Sequence, residues 1–371
     1  MNYKHGNNIV SKISASQLIP ENLLLYDIES TPHIYQVEID PIDYCNHNCE
    51  WCFTADFRHD KKITLTDLKN YLTAFCNSGG KSVVFSGGGE PLLYKEIYSA
   101  SNEFDNKSIC KFLNERGISV GIITNGHLLS NLFNSDFSIT DLAFVRVSLD
   151  TTNEISHAKL HDTSNTSYPK IINNIQTLLK LRSNQFTPAI GISFVVDSIN
   201  NINFSKTQIE DINKLACNLN VDFVQFKHIH TSEKERAIES MRILHSHCVE
   251  MNWNETEFWV QTYTSANSSL QCLIAQYIQS IGNQSKKFPC CHLFGRSGFL
   301  KQDEFLPKGK IISNCDSKVC RYSEMNKMLL NNFEENIMNH KEKLQASINK
   351  FGFHPYRYCP TAPYILEPFK S

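Results

Sequence analysis

The chain has 371 residues, 41% of them hydrophobic and 20% charged, with a formal net charge of −2. That length predicts two domains or one large domain with an appendage, and the near-neutral charge argues against a general polyanion binder, nucleic acid included. No apolar run reaches membrane-spanning length, the start Met1-Asn2-Tyr3-Lys4-His5-Gly6 lacks a signal-peptide core, and the 13 cysteines, an odd number, suit metal or redox use in the cytoplasm better than a disulfide scaffold.

Residues 1–32 are polar and Asn-rich and read as an N-terminal arm. His33–Asp40 alternates as a strand and runs into a loop, Pro41–Phe53, that carries three cysteines. Thr64 and Asp67 open a helix to Phe75 with a capping-box pattern. Ser82–Ser86 is a second strand, followed directly by Gly87-Gly88-Gly89-Glu90-Pro91, and Ser108–Glu115 is helical. Ser119–Ile123 is a third strand ending in Thr124-Asn125-Gly126, and Leu142–Leu149 a fourth ending at Asp150. Ile171–Leu181 is helical, Ala189–Val196 is a fifth strand, and Ser205 with Gln208 caps a helix to about Asn218. Asp222–Lys227 is a sixth strand, Ala237–Met251 a helix and Glu257–Tyr263 a further strand.

Strands alternating with helices imply βαβ units and a parallel sheet. The expected fold is α/β, a partial (β/α)6 TIM-like barrel over residues 33–285. Composition shifts near residue 285, so residues 286–371 are expected to form a separate cysteine-rich domain. Active residues of such barrels sit at the C-terminal ends of strands. The cysteine loop, the triple glycine and Thr124-Asn125-Gly126 all sit there.

Cys45-Asn46-His47-Asn48-Cys49-Glu50-Trp51-Cys52 places three thiols within eight residues. Soft thiolates select an iron–sulfur cluster or zinc, and His47 could complete a four-ligand zinc site. Read alone, the triple glycine and Thr124-Asn125-Gly126 are equally plain turns, and Ser148 and Asp150 equally caps of the next helix.

The three-then-two cysteine spacing, with Trp51 just before Cys52, resembles the signature of the radical S-adenosylmethionine (SAM) superfamily. Gly88-Gly89-Glu90-Pro91 resembles that superfamily's glycine–glutamate motif, and Val147-Ser148-Leu149-Asp150 its polar strand end. The likeness covers roughly residues 33–265. It implies a 4Fe–4S cluster on Cys45, Cys49 and Cys52, and SAM held by Trp51, Gly87, Gly88, Gly89, Glu90, Thr124, Asn125, Ser148 and Asp150. It also implies an electron donor of the flavodoxin or ferredoxin type.

Cys290, Cys291, Gly309, Cys315, Cys320 and Cys359 resemble the twitch and SPASM appendages of one radical SAM subgroup. The resemblance implies a second 4Fe–4S cluster on Cys291, Cys315, Cys320 and Cys359, with zinc or no metal as the alternatives. Cys272 and Cys290 are candidate hydrogen-atom donors, whereas Cys76, Cys110, Cys217 and Cys248 fall in helical patterns and read as small buried hydrophobes. Gln225 and Lys227 alternate with Val224 and Phe226, which places them on one face as candidate substrate contacts. The expected reaction is dehydrogenation or epimerisation of a small polar molecule: a sugar, aminosugar or nucleoside. Maturation of a ribosomally made peptide is the alternative, followed by RNA modification and by a non-catalytic binding module.

Overall fold

The computed structural model describes residues 36–282 apart from 53, 56–57, 59–60, 183–187, 230–233, 255, 261–263 and 266–277, together with 287–288 and 319–320. The N-terminal arm and Cys272, Cys290, Cys291, Cys315 and Cys359 lie outside the described residues.

One sheet organises the molecule. Its strands are β1 (Gln36–Ile39), β2 (Ser82–Phe85), β3 (Ser119–Thr124), β4 (Leu142–Ser148), β5 (Ala189–Val196), β6 (Phe223–His228), β7 (Glu257–Val260), β9 (Ile278–Ile281) and β10 (Lys287–Phe288). The order is β10-β9-β1-β2-β3-β4-β5-β6-β7. Every pairing is parallel except β10 with β9. Eight parallel strands thus form an open, partial TIM-like barrel. A separate two-stranded piece joins β8 (Thr264–Ser265) to β11 (Val319–Cys320). Cys320 is the one auxiliary-cluster candidate among the described residues.

The helices are α1 (Leu65–Asn77), α2 (Ile109–Asn114), α3 (Glu154–His161), α4 (Ser167–Arg182), α5 (Lys206–Leu219) and α6 (Lys234–Val249). Their starts follow local chemistry. Thr64, Ser108, Asn153 and Ser205 each accept a backbone N–H of the first turn, and Ser205 with Gln208 forms the full capping box. Each such cap contributes about 1 kcal/mol. At α1 only the Thr64 half of the expected box forms. Between β3 and β4 the crossover uses 3-10 turns instead of an α-helix.

Period-two alternation divides each strand between two environments. Val37, Ile39, Ile122, Val145, Ile192 and Phe226 face the helices in one continuous core. The other face carries Gln36, Glu38, Arg146, Ser193, Gln225 and Lys227 and forms the barrel interior. Phe144 fills the space over Gly121, and Phe223 the space over Gly191; a Cβ at either glycine would meet the ring at 2.0 or 2.1 Å. These rings plug one end of the interior and leave the polar stripe above them. Cys110 and Cys248 are fully buried, Cys76 is half-buried against the core, and Cys217 is half-buried.

Candidate active site: the strand ends joined by the cysteine loop

The cysteine loop follows β1 and is tied to each neighbouring strand end in turn. The Glu90 N–H donates to the Tyr44 carbonyl (2.9 Å), and Thr54 Oγ1 donates to the Gly88 carbonyl (2.7 Å). Gly89 lies so close that a Cβ there would sit 2.0 Å from Tyr44 O. The glycine is therefore required by contact between two backbones.

Glu90 joins β2 to β3. Its Oε1 accepts from Leu92 N (3.1 Å) and Thr124 Oγ1 (2.6 Å), and its Oε2 accepts from Asn125 N (2.8 Å). Burial raises its pKa to about 7 against the lowering effect of these donors. Asn125 then reaches back, with Nδ2 donating to Asn46 Oδ1 (2.7 Å) and lying 3.9 Å from Cys45 Sγ. Gly126 turns the chain at φ +83°, a conformation glycine adopts freely.

Asp150 links β4 to the same loop. It is buried in the left-handed region (φ 61°), with Oδ1 accepting from Val195 N (2.8 Å) and Oδ2 3.5 Å from His161 Nε2. Neither Ser148 nor Asp150 caps the next helix; Asn153 does, accepting Ser156 N at 2.9 Å. Burial raises the Asp150 pKa, opposed by Lys227 and Arg146. The loop also docks on the end of α3 through Asn48 N–H to His161 O (2.9 Å) and Glu50 N–H to Leu160 O (3.3 Å). Trp51 packs edge-on to His161 at 5.7 Å. With Asp150, Asn153, Lys159 and Asn203 it lines a cleft of about 770 Å³.

Each sulfur has its own polar neighbour. His161 Nδ1 is 3.0 Å from Cys49 Sγ, Arg58 Nη2 donates to Cys52 Sγ (2.9 Å), and His47 N–H donates to Cys45 Sγ (3.5 Å). Burial raises the pKa of Cys45 and Cys49, and the other thiols raise them further. As thiolates the three would repel one another, so the set is one that a cationic guest would stabilise. The guest is larger than one ion. Among the described residues, the set with ligand atoms within 4.8 Å of one another is His47, His157 and His161, not the three thiols. The His47 ring belongs to that histidine group, with Nε2 3.2 Å from Ser167 Oγ. It does not complete a three-thiol zinc site. The residues present fit a 4Fe–4S cluster with one iron left open to SAM.

A profile of the Radical SAM superfamily matches residues 39–200. Residues 39–200 form a radical SAM domain. The match begins on β1 and takes in the cysteine loop, the Glu90 and Asn125 turns and Asp150. Over 97 residues (26% of this chain, 32% of the relative) the chain is 30% identical to a protein of Selenomonas ruminantium named S-adenosylmethionine-dependent nucleotide dehydratase. It is 25% identical over 265 residues (68% of this chain, 34% of the relative) to a protein of Brachyspira hyodysenteriae named GTPase Obg. The radical SAM domain has Phe75 where a phosphate loop ending in Gly80-Lys81-Ser82 needs its first glycine. Its matches span about a third of the length of these curated relatives. Among solved structures it is similar to Streptococcus suis SuiB, with 15% identity, 73% of this chain and 63% of that one covered, and a TM-score of 0.54. SuiB bound to S-adenosylmethionine gives 17%, 73%, 61% and 0.51. These likenesses speak for the fold.

The candidate substrate residues of the radical SAM barrel fall inside it. Gln225 is buried, with Arg146 Nη1 donating to its Oε1 at 2.6 Å. Lys227 is half-buried on the same face and close enough to Asp150 to act on its pKa. His228 is buried, with Nδ1 2.9 Å from the Ile229 carbonyl. Sequence reasoning missed Arg58 and Arg146, which carry no motif. It also missed His157 and His161, whose four-residue spacing on one helix was a readable signal. No helix among the described residues is long and apolar enough to cross a membrane.

Proposed function

We propose that this chain is a radical SAM enzyme that abstracts hydrogen from a small polar substrate held inside the barrel. The observation that carries the substrate class is the barrel interior. Gln36 Oε1 and Nε2, Arg146 Nε, Ser193 Oγ and Ser280 Oγ are all buried with no hydrogen-bond partner among the described residues. Buried polar atoms normally find partners, so these favour a guest rich in hydroxyl and amino groups: a sugar, aminosugar or nucleoside. The name of the Selenomonas ruminantium relative adds weight to the nucleoside end of that range.

When bound, a reduced 4Fe–4S cluster supplies the electron that cleaves SAM to methionine and a 5′-deoxyadenosyl radical. Cys45, Cys49 and Cys52 hold it. Trp51, Gly87–Gly89, Thr124, Asn125, Ser148 and Asp150 border the space for SAM. Glu90 first fixes the β2 and β3 turns. A carboxylate has about four acceptor sites, and with three donors in place Glu90 keeps room for the SAM ammonium. Arg146, Gln225 and Lys227 orient the substrate, and the Phe144 and Phe223 plug keeps water from the far end. Dehydrogenation follows if the substrate radical passes its next electron to the second cluster and a proton to a base, and epimerisation if a thiol gives the radical a hydrogen atom. Cys291, Cys315, Cys320 and Cys359 are assigned to a second 4Fe–4S cluster, Cys272 and Cys290 to hydrogen donation, and a flavodoxin or ferredoxin to electron supply.

The test is anaerobic incubation of reduced protein with SAM and ring-deuterated sugars, aminosugars or nucleosides. Deuterium should appear in 5′-deoxyadenosine with one class, and Gln225→Leu should raise KM for that class. No 5′-deoxyadenosine from reconstituted protein would defeat the reading. Label transfer only from a peptide would move the substrate to the maturase class.

A further inference from the structure

Three histidines behind the cysteine loop have no part in that reading. His47 comes from the loop, and His157 and His161 come from one face of α3. They are 2%, 0% and 1% exposed. One ring nitrogen of each lies within 4.8 Å of those of the other two. The His157 and His161 rings stack at 4.2 Å, and His47 stands edge-on to them at 5.7 and 5.4 Å.

The bonds that hold these rings determine what their inner nitrogens are. His157 Nδ1 faces the Leu149 carbonyl at 3.1 Å. A carbonyl only accepts, so Nδ1 carries the hydrogen and Nε2 is a bare lone pair. His161 Nδ1 faces Cys49 Sγ at 3.0 Å. A cluster-bound thiolate also only accepts, which leaves His161 Nε2 bare in the neutral ring. His47 Nε2 is engaged by Ser167 Oγ at 3.2 Å, leaving Nδ1 inward. His47 Nδ1, His157 Nε2 and His161 Nε2 are buried without a hydrogen-bond partner among the described residues. Three buried, unpartnered ring nitrogens this close together suit a cation, with His47 joining as the tautomer whose Nε2–H donates to Ser167 Oγ.

We propose that His47, His157 and His161 bind a divalent transition-metal ion of the zinc type between the cysteine loop and α3, with Asp150 Oδ2 beside it. Imidazole suits zinc, and Asp150 Oδ2, 3.5 Å from His161 Nε2, supplies an adjacent anion. The outer nitrogens already have what ligating histidines need: a carbonyl for His157, a sulfur for His161 and a hydroxyl for His47. Zinc–nitrogen bonds of about 2.0–2.1 Å would draw the rings slightly together. The inference goes beyond the proposed reaction and rests on it at one point, the cluster-bound Cys49 thiolate that fixes the His161 tautomer.

The test is elemental analysis of anaerobically purified full-length protein and of its His157→Gln variant. Wild type should hold one more zinc per chain than the variant, with equal iron. Cobalt-substituted wild type should show ligand-field bands that the variant lacks, and the lost bands should carry no sulfur-to-cobalt charge transfer. Equal zinc in the two proteins overturns the proposal, as does a lost cobalt signal with sulfur character. Should the variant fail to fold, the cobalt spectrum of wild type decides: no bands from a nitrogen- and oxygen-ligated ion overturns it. Failure of the SAM reaction would appear separately, as absent 5′-deoxyadenosine.

Discussion

Glu90 shows how much one side chain can hold. It is 2% exposed, accepts three hydrogen bonds from two loops, and has its pKa raised from 4.5 to about 7. Between those values the folded chain keeps a proton that the unfolded chain has released, so stability falls as pH rises. The contribution is whole below about pH 4.5 and lost once pH passes 7, a cost on the order of 3 kcal/mol. Asp40 and Asp150, also raised by burial, act in the same direction. Urea denaturation of apo wild type should show lower stability at pH 8 than at pH 5, and Glu90→Gln should shrink that difference whatever its absolute stability. A variant with an unchanged pH 5-to-8 difference would mean Glu90 is ionised throughout. The sequence offered Glu90 as a candidate partner for SAM through its resemblance to the glycine–glutamate motif. Its three protein donors were not legible, because Thr124 and Asn125 reach it only through strand pairing.

Among the elements, the strands and the helix starts were the most legible. Ala189–Val196 and the Ser205 capping box form where the pattern placed them, because each rests on contacts a few residues apart. β9 was not read: its four residues are too short for periodicity, and its place is set by β1 far away in the chain. The helix-like spacing of His157 and His161 was on the page but gained meaning only when His47 joined them. The contact of the cysteine loop with the glycine turn is likewise tertiary. Gly89→Ala would put a Cβ 2.0 Å from Tyr44 O, a backbone atom that no side-chain rotation can move. The variant should lower stability by about 1–3 kcal/mol and purify with less iron, while Gly117→Ala, strained by its φ of +71° but with nothing within 4 Å of the added Cβ, should lose stability yet keep wild-type iron. Equal iron in both variants would mean that the loop does not need the Gly89 approach.

For the whole molecule, the cysteine assignments make a count. Four irons proposed on Cys45, Cys49 and Cys52 and four proposed on the C-terminal cysteines would make about eight per chain. Replacing the first three cysteines by alanine should leave about four, and replacing Cys315 alone should also leave about four but spare slow SAM cleavage. Elemental analysis with electron paramagnetic resonance of the reduced proteins separates the cases. An iron content unmoved by the triple replacement would contradict the cluster assignment.

The sheet order carries a consequence for how the protein is made. β1, which bears the cysteine loop, pairs with β2 on one side and with β9 on the other, and Val37 meets Gln279 across about 240 residues of chain. A nascent chain emerging from the ribosome therefore presents β1 with one edge bare until almost three-quarters of the sequence has been synthesised. Contacts of such long range form slowly, and a bare parallel edge invites pairing with other chains. Through that interval the base of the cysteine loop lacks the bond from Asp40 N–H to the Ile281 carbonyl. Cluster insertion should succeed only after β9 has closed against β1, so chains released before Ile278 should aggregate and stay colourless.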